Sequence, residues 1–207
     1  MGVRGLMSMI RASFPSFSDY VEIQLATPQS RILIVDAYAF LYWILADQTA
    51  PSYCADYGRL KLLITHWVAR VRKYSIVPVF VLDGATPRRK LNKKLERLLK
   101  QAEDVHMYLN GESRTLHSLL PHLAHTCAIQ VLKSLDVQVF VAEGEADSEI
   151  VNLAQQMGAF AILSGDTDFL VYDEISCGLV PHWALSFTDD EMFCCVHIIR
   201  FSMRKFY

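Results

Sequence analysis

Asp36, Asp83, Glu145, Asp147, Asp166 and Asp168 stand at the downstream ends of four apolar, strand-like runs: ILIVD, VPVFVLD, VQVFVAEGEAD and AFAILSGDTD. In an open α/β sheet, ligands bind in the crevice beyond the carboxyl ends of the strands, so runs far apart in sequence can bring their last residues to one place. Six carboxylates sharing a cleft would repel one another and raise each other's pKa values unless hard cations neutralised them. A divalent metal is the expected occupant.

Each acid also has an ordinary structural reading. Asp36 and Asp83 follow runs of apolar residues where a buried parallel strand should end, and a lone Asp there is commonly a helix N-cap or a turn residue. In GEADSE, acids at a helix start favour the macrodipole. Glu145 and Asp147 are two apart and reach one metal only if Glu145 sits at or before the cap, a placement that Gly144 allows; Glu145 with Glu149, four apart on one face, is the geometric rival. In SGDTDF, Gly165 permits a tight turn, and the alternation of an extended segment turns Asp166 and Asp168 the same way, with an Asx-turn as the alternative.

These residues need a scaffold that alternates strand and helix. Helical periodicity predicts a short helix over residues 37 to 46 and an amphipathic one over 57 to 74, with Leu60, Leu63, Ile64, Trp67, Val68 and Val71 on one side. A long basic helix over 86 to 108 and two more over 121 to 135 and 145 to 157 follow. The order implies βα units around a mainly parallel sheet flanked by helices, an α/β fold of three layers. LNGESRTLHSLLP, residues 109 to 121, is the best internal boundary, separating two lobes of one domain. After Pro181 the pattern fades and the end reads as a truncation.

With 207 residues and a net charge of −2 the chain suits one globular domain, and no apolar run approaches the length of a membrane span. The start has no signal-peptide pattern, so an intracellular protein is expected. Five cysteines without CxxC spacing suit reduced thiols, and His117, His122 and His125 with Cys127 match no zinc pattern. The near-neutral sum hides a segregation. Between Arg88 and Lys100 there are seven basic residues and one acid, which leaves the rest of the chain at −8. Arg89, Lys93, Arg97 and Lys100 recur at helical spacing and form a cationic ridge suited to a phosphodiester backbone, although a solvated face is the plainer reading. Tyr38 and Tyr42, four apart, are candidates for stacking on a base, with core packing the simpler role for Tyr38.

MGVRGLMSMI, VDAYAFLYW, VFVLDGATP, GEADSE and SGDTDF, in this order, resemble the flap endonuclease and excision-repair nuclease superfamily, which has a PIN-like fold. The wording is most similar to the Asteroid branch, and the resemblance covers residues 1 to about 175. It implies a two-metal site on Asp36, Asp83, Glu145, Asp147, Asp166 and Asp168, preferring Asp147 to Glu149. It implies Lys90 and Arg97 as catalytic residues on the scissile phosphate, Tyr42 stacked on a nucleotide, and Gly2 near the nucleic acid, with Arg89, Lys93, Lys94 and Lys100 as further contacts. The expected cofactor is Mg²⁺ in two sites, with Mn²⁺ as a substitute. The expected partner is DNA with single-strand/duplex junctions or overhangs, in the nucleus and without a membrane. One PIN-like domain would fill residues 1–207, with nuclease regions at 1–108 and 121–180 and a tail at 181–207. The family's further aspartate and helix-hairpin-helix clamp, which follow the last motif, have no counterpart in this chain. A non-catalytic, regulatory module of the Asteroid type is the alternative function.

Overall fold

The computed structural model describes residues 18–24, 29–46, 56–112, 120–172, 177–188 and 193–199. In chain order the elements are β1 (Ser18–Gln24), β2 (Arg31–Asp36), α1 (Ala37–Ile44), α2 (Tyr57–Lys73), β3 (Ile76–Leu82), α3 (Leu91–Leu109), α4 (Ala124–Ser134), β4 (Gln138–Val141), α5 (Ala146–Gln156), β5 (Ala161–Leu163), β6 (Leu179–Val180), β7 (Leu185–Phe187) and β8 (Phe193–Ile199). The strands make one sheet in the order β1-β8-β6-β5-β2-β3-β4, with β7 on β8. Its centre is parallel, through β3/β4, β2/β3, β2/β5 and β5/β6, and its far edge is antiparallel.

Strand alternation sends Leu33 and Val35 of β2 to one face and Ile34 to the other. The first face packs under α1, α2 and α4 through Phe40, Leu60, Ile64, Trp67, Val71 and Leu132. The second packs under α5 through Ile150 and Val151, and under the 3₁₀ turn Thr167–Val171 through Phe169. This is the expected three-layer α/β arrangement. In α2, Leu60, Ile64, Trp67, Val68 and Val71 are buried at the spacing of one helix face, and Asp56 caps the start by accepting from the Arg59 amide at 2.9 Å. The helix stops at Tyr74, and Ser75 follows at φ 58°, a left-handed residue that turns the chain back into β3.

Three boundaries move for local reasons. The basic helix begins at Leu91 because Pro87 is extended and a 3₁₀ turn, Arg88–Lys90, comes between. The helix expected from residue 121 begins at Ala124, whose amide donates to the Pro121 carbonyl at 2.9 Å. Glu145 stands outside α5 as its N-cap. The larger difference lies in the segments with no periodic signal. β1 pairs antiparallel with β8 along seven residues, Ser18 opposite Ile199 through Gln24 opposite Phe193. Cys194, Val196 and Ile198 are fully buried. The segment after Pro181 that reads as a fading tail therefore includes a core strand.

Candidate metal centre and nucleic-acid interface

β2 lies between β5 and β3, so the chain winds outward from it in two directions and opens a crevice at its carboxyl end. Val35 is opposite Leu163 on one side and Phe80 on the other. The residues following β2, β3 and β5 consequently emerge side by side, and β4 continues the row. That is the structural reason for the convergence of the four acidic strand ends.

Asp36 ends β2 and caps α1: one oxygen accepts from the Ala39 amide at 3.1 Å, the other from the Ser164 hydroxyl at 2.8 Å. Burial raises its pKa above the ordinary carboxylate value, the Ala39 and Ser164 hydrogen bonds oppose the rise, and Asp83 and Asp166 add to it. Ser164, fully buried, also accepts from the Asp166 amide at 3.1 Å. A single hydroxyl thus joins the end of β2 to the turn after β5.

Asp83 accepts from the Ala146 amide at 2.7 Å and so caps α5 from another loop. Glu145, the formal N-cap, makes no side-chain cap bond and is ion-paired with Lys90. The loops after β3 and β4 are zipped together, Gly84 N–H to the Gly144 carbonyl at 2.7 Å and Ala85 N–H to Glu143 at 3.1 Å. Gly84 is required here because a Cβ would lie 1.8 Å from the Ala142 carbonyl oxygen. In SGDTDF, the Asp166 carboxylate accepts from the Asp168 amide at 3.0 Å, so the Asx-turn is present. The ordinary readings of Asp36 and Asp166 are true as well, since capping occupies part of each carboxylate.

The electrostatics tie the four strand ends together. Asp147 is pushed up to about 6, first by burial and then by Asp166, Asp36, Asp83 and Glu145. Tyr172, at the rim, is raised by burial and then by Asp147, Asp168, Glu145 and Asp166. All six candidate acids therefore act electrostatically on one another or on a shared neighbour.

On the other wall, Arg89, Lys93, Arg97 and Lys100 are exposed on α3 and the turn before it. Lys94 donates to the Thr86 hydroxyl at 2.7 Å, and Lys90 reaches the cleft through Glu145. Tyr42 of α1 is partly exposed and sits beside α3: burial raises its phenol, while a Gln101 hydrogen bond and the Arg97 charge lower it. Tyr38 is half-buried against the His125 ring at 5.6 Å. Gly2 lies outside the described residues, as do Cys54 and His117. Sequence reasoning missed Ser164, Tyr172 and the buried His182, which stacks on Trp43 at 5.3 Å and packs behind Gly165. Only Ser164 had a signal, as a polar residue ending an apolar run.

The donor chemistry fits a hard divalent ion, because every candidate ligand is a carboxylate and their mutual repulsion is what such an ion relieves. Their placement is less complete. Among the described residues no group of three or more His, Cys, Asp or Glu side chains is disposed to hold a metal ion. Lys90 engages Glu145, and backbone amides and Ser164 engage Asp36, Asp83 and Asp166.

The sheet order, with a parallel centre flanked by helices, defines a PIN-like nuclease fold. The catalytic core of Rad2 in complex with DNA substrate resembles this chain with TM-score 0.57 at 15% identity, covering 96% of this chain and 55% of that one. Human GEN1 in complex with Holliday junction DNA does so with TM-score 0.51 at 15% identity, covering 96% and 44%. At those identities the likeness is one of fold. The family model of the XPG N-terminal domain matches residues 1–104, and the chain belongs to that family, in its Asteroid branch. Single-strand DNA endonuclease ASTE1 of Danio rerio is 27% identical over 88% of this chain and 26% of its own length. Asteroid homolog 1 of Schizosaccharomyces pombe is 30% identical over 76% and 27%. A constitutive coactivator of peroxisome proliferator-activated receptor gamma from Mus musculus is 27% identical over 84% and 24%. The chain spans about a quarter of the length of these curated relatives. Among the described residues no helix is long and apolar enough to cross a membrane.

Proposed function

We propose that this chain is a metal-dependent nuclease domain that hydrolyses DNA phosphodiester bonds at junctions or overhangs, acting in the nucleus as one PIN-like unit over residues 1–207. The observation that carries the reading is the parallel register of β5, β2, β3 and β4, which sets the acids after four strand ends in one row, close enough that burial and then Asp166, Asp36, Asp83 and Glu145 raise the Asp147 carboxyl. Asp36, Asp83, Glu145, Asp147, Asp166 and Asp168 would hold two Mg²⁺ ions, with Mn²⁺ as a substitute. Such ions, when bound, would supply activation of the attacking water and stabilisation of the leaving oxygen. Lys90 and Arg97 offset charge on the scissile phosphate. Tyr42 stacks on a base near the cut, Arg89, Lys93, Lys94 and Lys100 follow the backbone, and Gly2 approaches the strand. Two of the similar proteins support the metal and the substrate class: GEN1 was solved with product DNA, Mg²⁺ and Mn²⁺, and the zebrafish relative is named a single-strand DNA endonuclease.

A regulatory module without turnover is the second reading, favoured by the coactivator relative, as similar in sequence as the endonuclease. The two are separated by incubating purified protein with labelled flap, overhang and single-stranded DNA, with Mg²⁺ or with chelator. The nuclease reading requires cleavage that chelator stops and that Asp166→Ala and Asp168→Ala abolish, with DNA affinity equal or tighter because an acid facing phosphate has gone. Equal cleavage by wild type and both variants would place the activity elsewhere, and no cleavage with any substrate would favour the module.

A further inference from the structure

We propose that Lys90 is an internal counter-ion at the acidic cleft: paired with Glu145 it offsets that one carboxylate when no divalent cation is bound, and it must leave for a cation to reach Glu145. This inference rests on the metal reading and adds a competitor to it. Glu145 is available for the pairing because it makes no cap bond of its own, Asp83 having taken over the α5 terminus through the Ala146 amide. Lys90 is held within reach by its platform. The Gly84–Gly144 and Ala85–Glu143 hydrogen bonds fasten its loop to that of Glu145, and Lys94 anchors the next turn on Thr86. The pair is also exchangeable, since the two side chains are 47% and 37% exposed, and an ion pair of that kind is weak enough for a dication to displace.

The exchange has a directional consequence. A cation arriving at Glu145 frees an ammonium beside the place where a phosphate would be bound, and a phosphate that captures the ammonium favours the cation-loaded cleft. Cation and phosphate then bind with positive coupling, reciprocal by thermodynamic necessity.

Mn²⁺ titrations followed by electron paramagnetic resonance test the competition. Lys90→Ala should bind Mn²⁺ about three- to fivefold more tightly than wild type, the ratio expected for losing a partly exposed ion pair. Lys93→Ala removes the same charge one turn away without touching Glu145 and should change affinity less than about twofold. Lys90→Arg should stay near wild type. Equal effects of Lys90→Ala and Lys93→Ala would reduce Lys90 to net charge and overturn the proposal. Hydrogen exchange in chelator is independent of any metal: Glu145→Gln and Lys90→Ala should each speed exchange over residues 88–94. No change in either variant would show that the pair does not hold the turn, and would overturn the proposal even if Mn²⁺ binds. Failure of wild type to bind Mn²⁺, with exchange responding as expected, would sink the metal reading and with it the role of Lys90 as competitor, while leaving the ion pair established.

Discussion

Replacing Gly84 by alanine adds one methyl group where the structure has no room for it. The new Cβ would lie 1.8 Å from the Ala142 carbonyl oxygen and 2.8 Å from its carbon, both backbone atoms that cannot rotate away. An ordinary carbon–oxygen contact is roughly 3.3 Å, so the two loops must part by about 1.5 Å. Separation of that size strains the hydrogen bonds from Gly84 and Ala85 to Gly144 and Glu143, at 2.7 and 3.1 Å. Overpacking costs about 1–3 kcal/mol, and two backbone hydrogen bonds contribute about 1 kcal/mol each, so a loss of roughly 3–5 kcal/mol is expected. Chain entropy alone predicts the opposite sign, since Gly→Ala at a compatible site stabilises by about 0.4–1 kcal/mol. Gly144 is the internal control: its Cβ would meet nothing within 4 Å, and Gly144→Ala should be neutral or stabilising. Urea denaturation followed by circular dichroism measures both. A Gly84→Ala variant as stable as wild type would refute the close approach. So would equal destabilisation of the two variants.

His182, which burial lowers to about 4, has a folded pKa below its unfolded value near 6.5. Its contribution is full above pH 6.5 and is lost as pH falls toward 4, by roughly 3 kcal/mol in all. His182→Phe should flatten that part of the urea-midpoint profile, and an unchanged profile would count against the buried neutral imidazole. Asp147 titrates in the opposite sense, so variant and wild type must be compared at each pH. Ser164→Ala removes, from a fully buried position, the acceptor of the part-buried Asp166 amide and a donor to Asp36. A loss of about 1–3 kcal/mol is expected by denaturation, and none would show that the bridge is dispensable. Replacing Lys90, Lys93, Arg97 and Lys100 with alanine should flatten the log–log salt dependence of DNA binding by about 0.7–0.9 per lost phosphate contact, with sequence preference unchanged. Parallel salt titrations of wild type and the fourfold variant would mean that the ridge is only solvated surface.

The sequence by itself determined the parts of this protein whose signals are local. Apolar runs ending in acids mark β2, β3 and β5 because a strand buried on both faces needs unbroken apolar residues and its end needs a polar stop. The 3.6-residue spacing of Leu60, Ile64, Trp67 and Val71 marks α2 because one helix face must be buried. Spacing left Glu145 with Asp147 and Glu145 with Glu149 both open and began the helix at residue 145, whereas the structure stands Glu145 outside α5 as its N-cap.

Only the tertiary structure decided the rest, for one recurring reason: the partners are remote along the chain. Where β1 pairs with β8, the Tyr20 hydroxyl donates to Cys195 Sγ across 175 residues, and nothing local to either strand names the other. Asp83 caps a helix 63 residues downstream, Ser164 joins a carboxylate 128 residues upstream, and Lys90 meets Glu145 across 55. Sequence reading found the acids because each carries its chemistry in its own side chain. It could not say which of them are engaged by amides, a hydroxyl or a lysine, because those engagements exist only once the sheet order has brought four strand ends together.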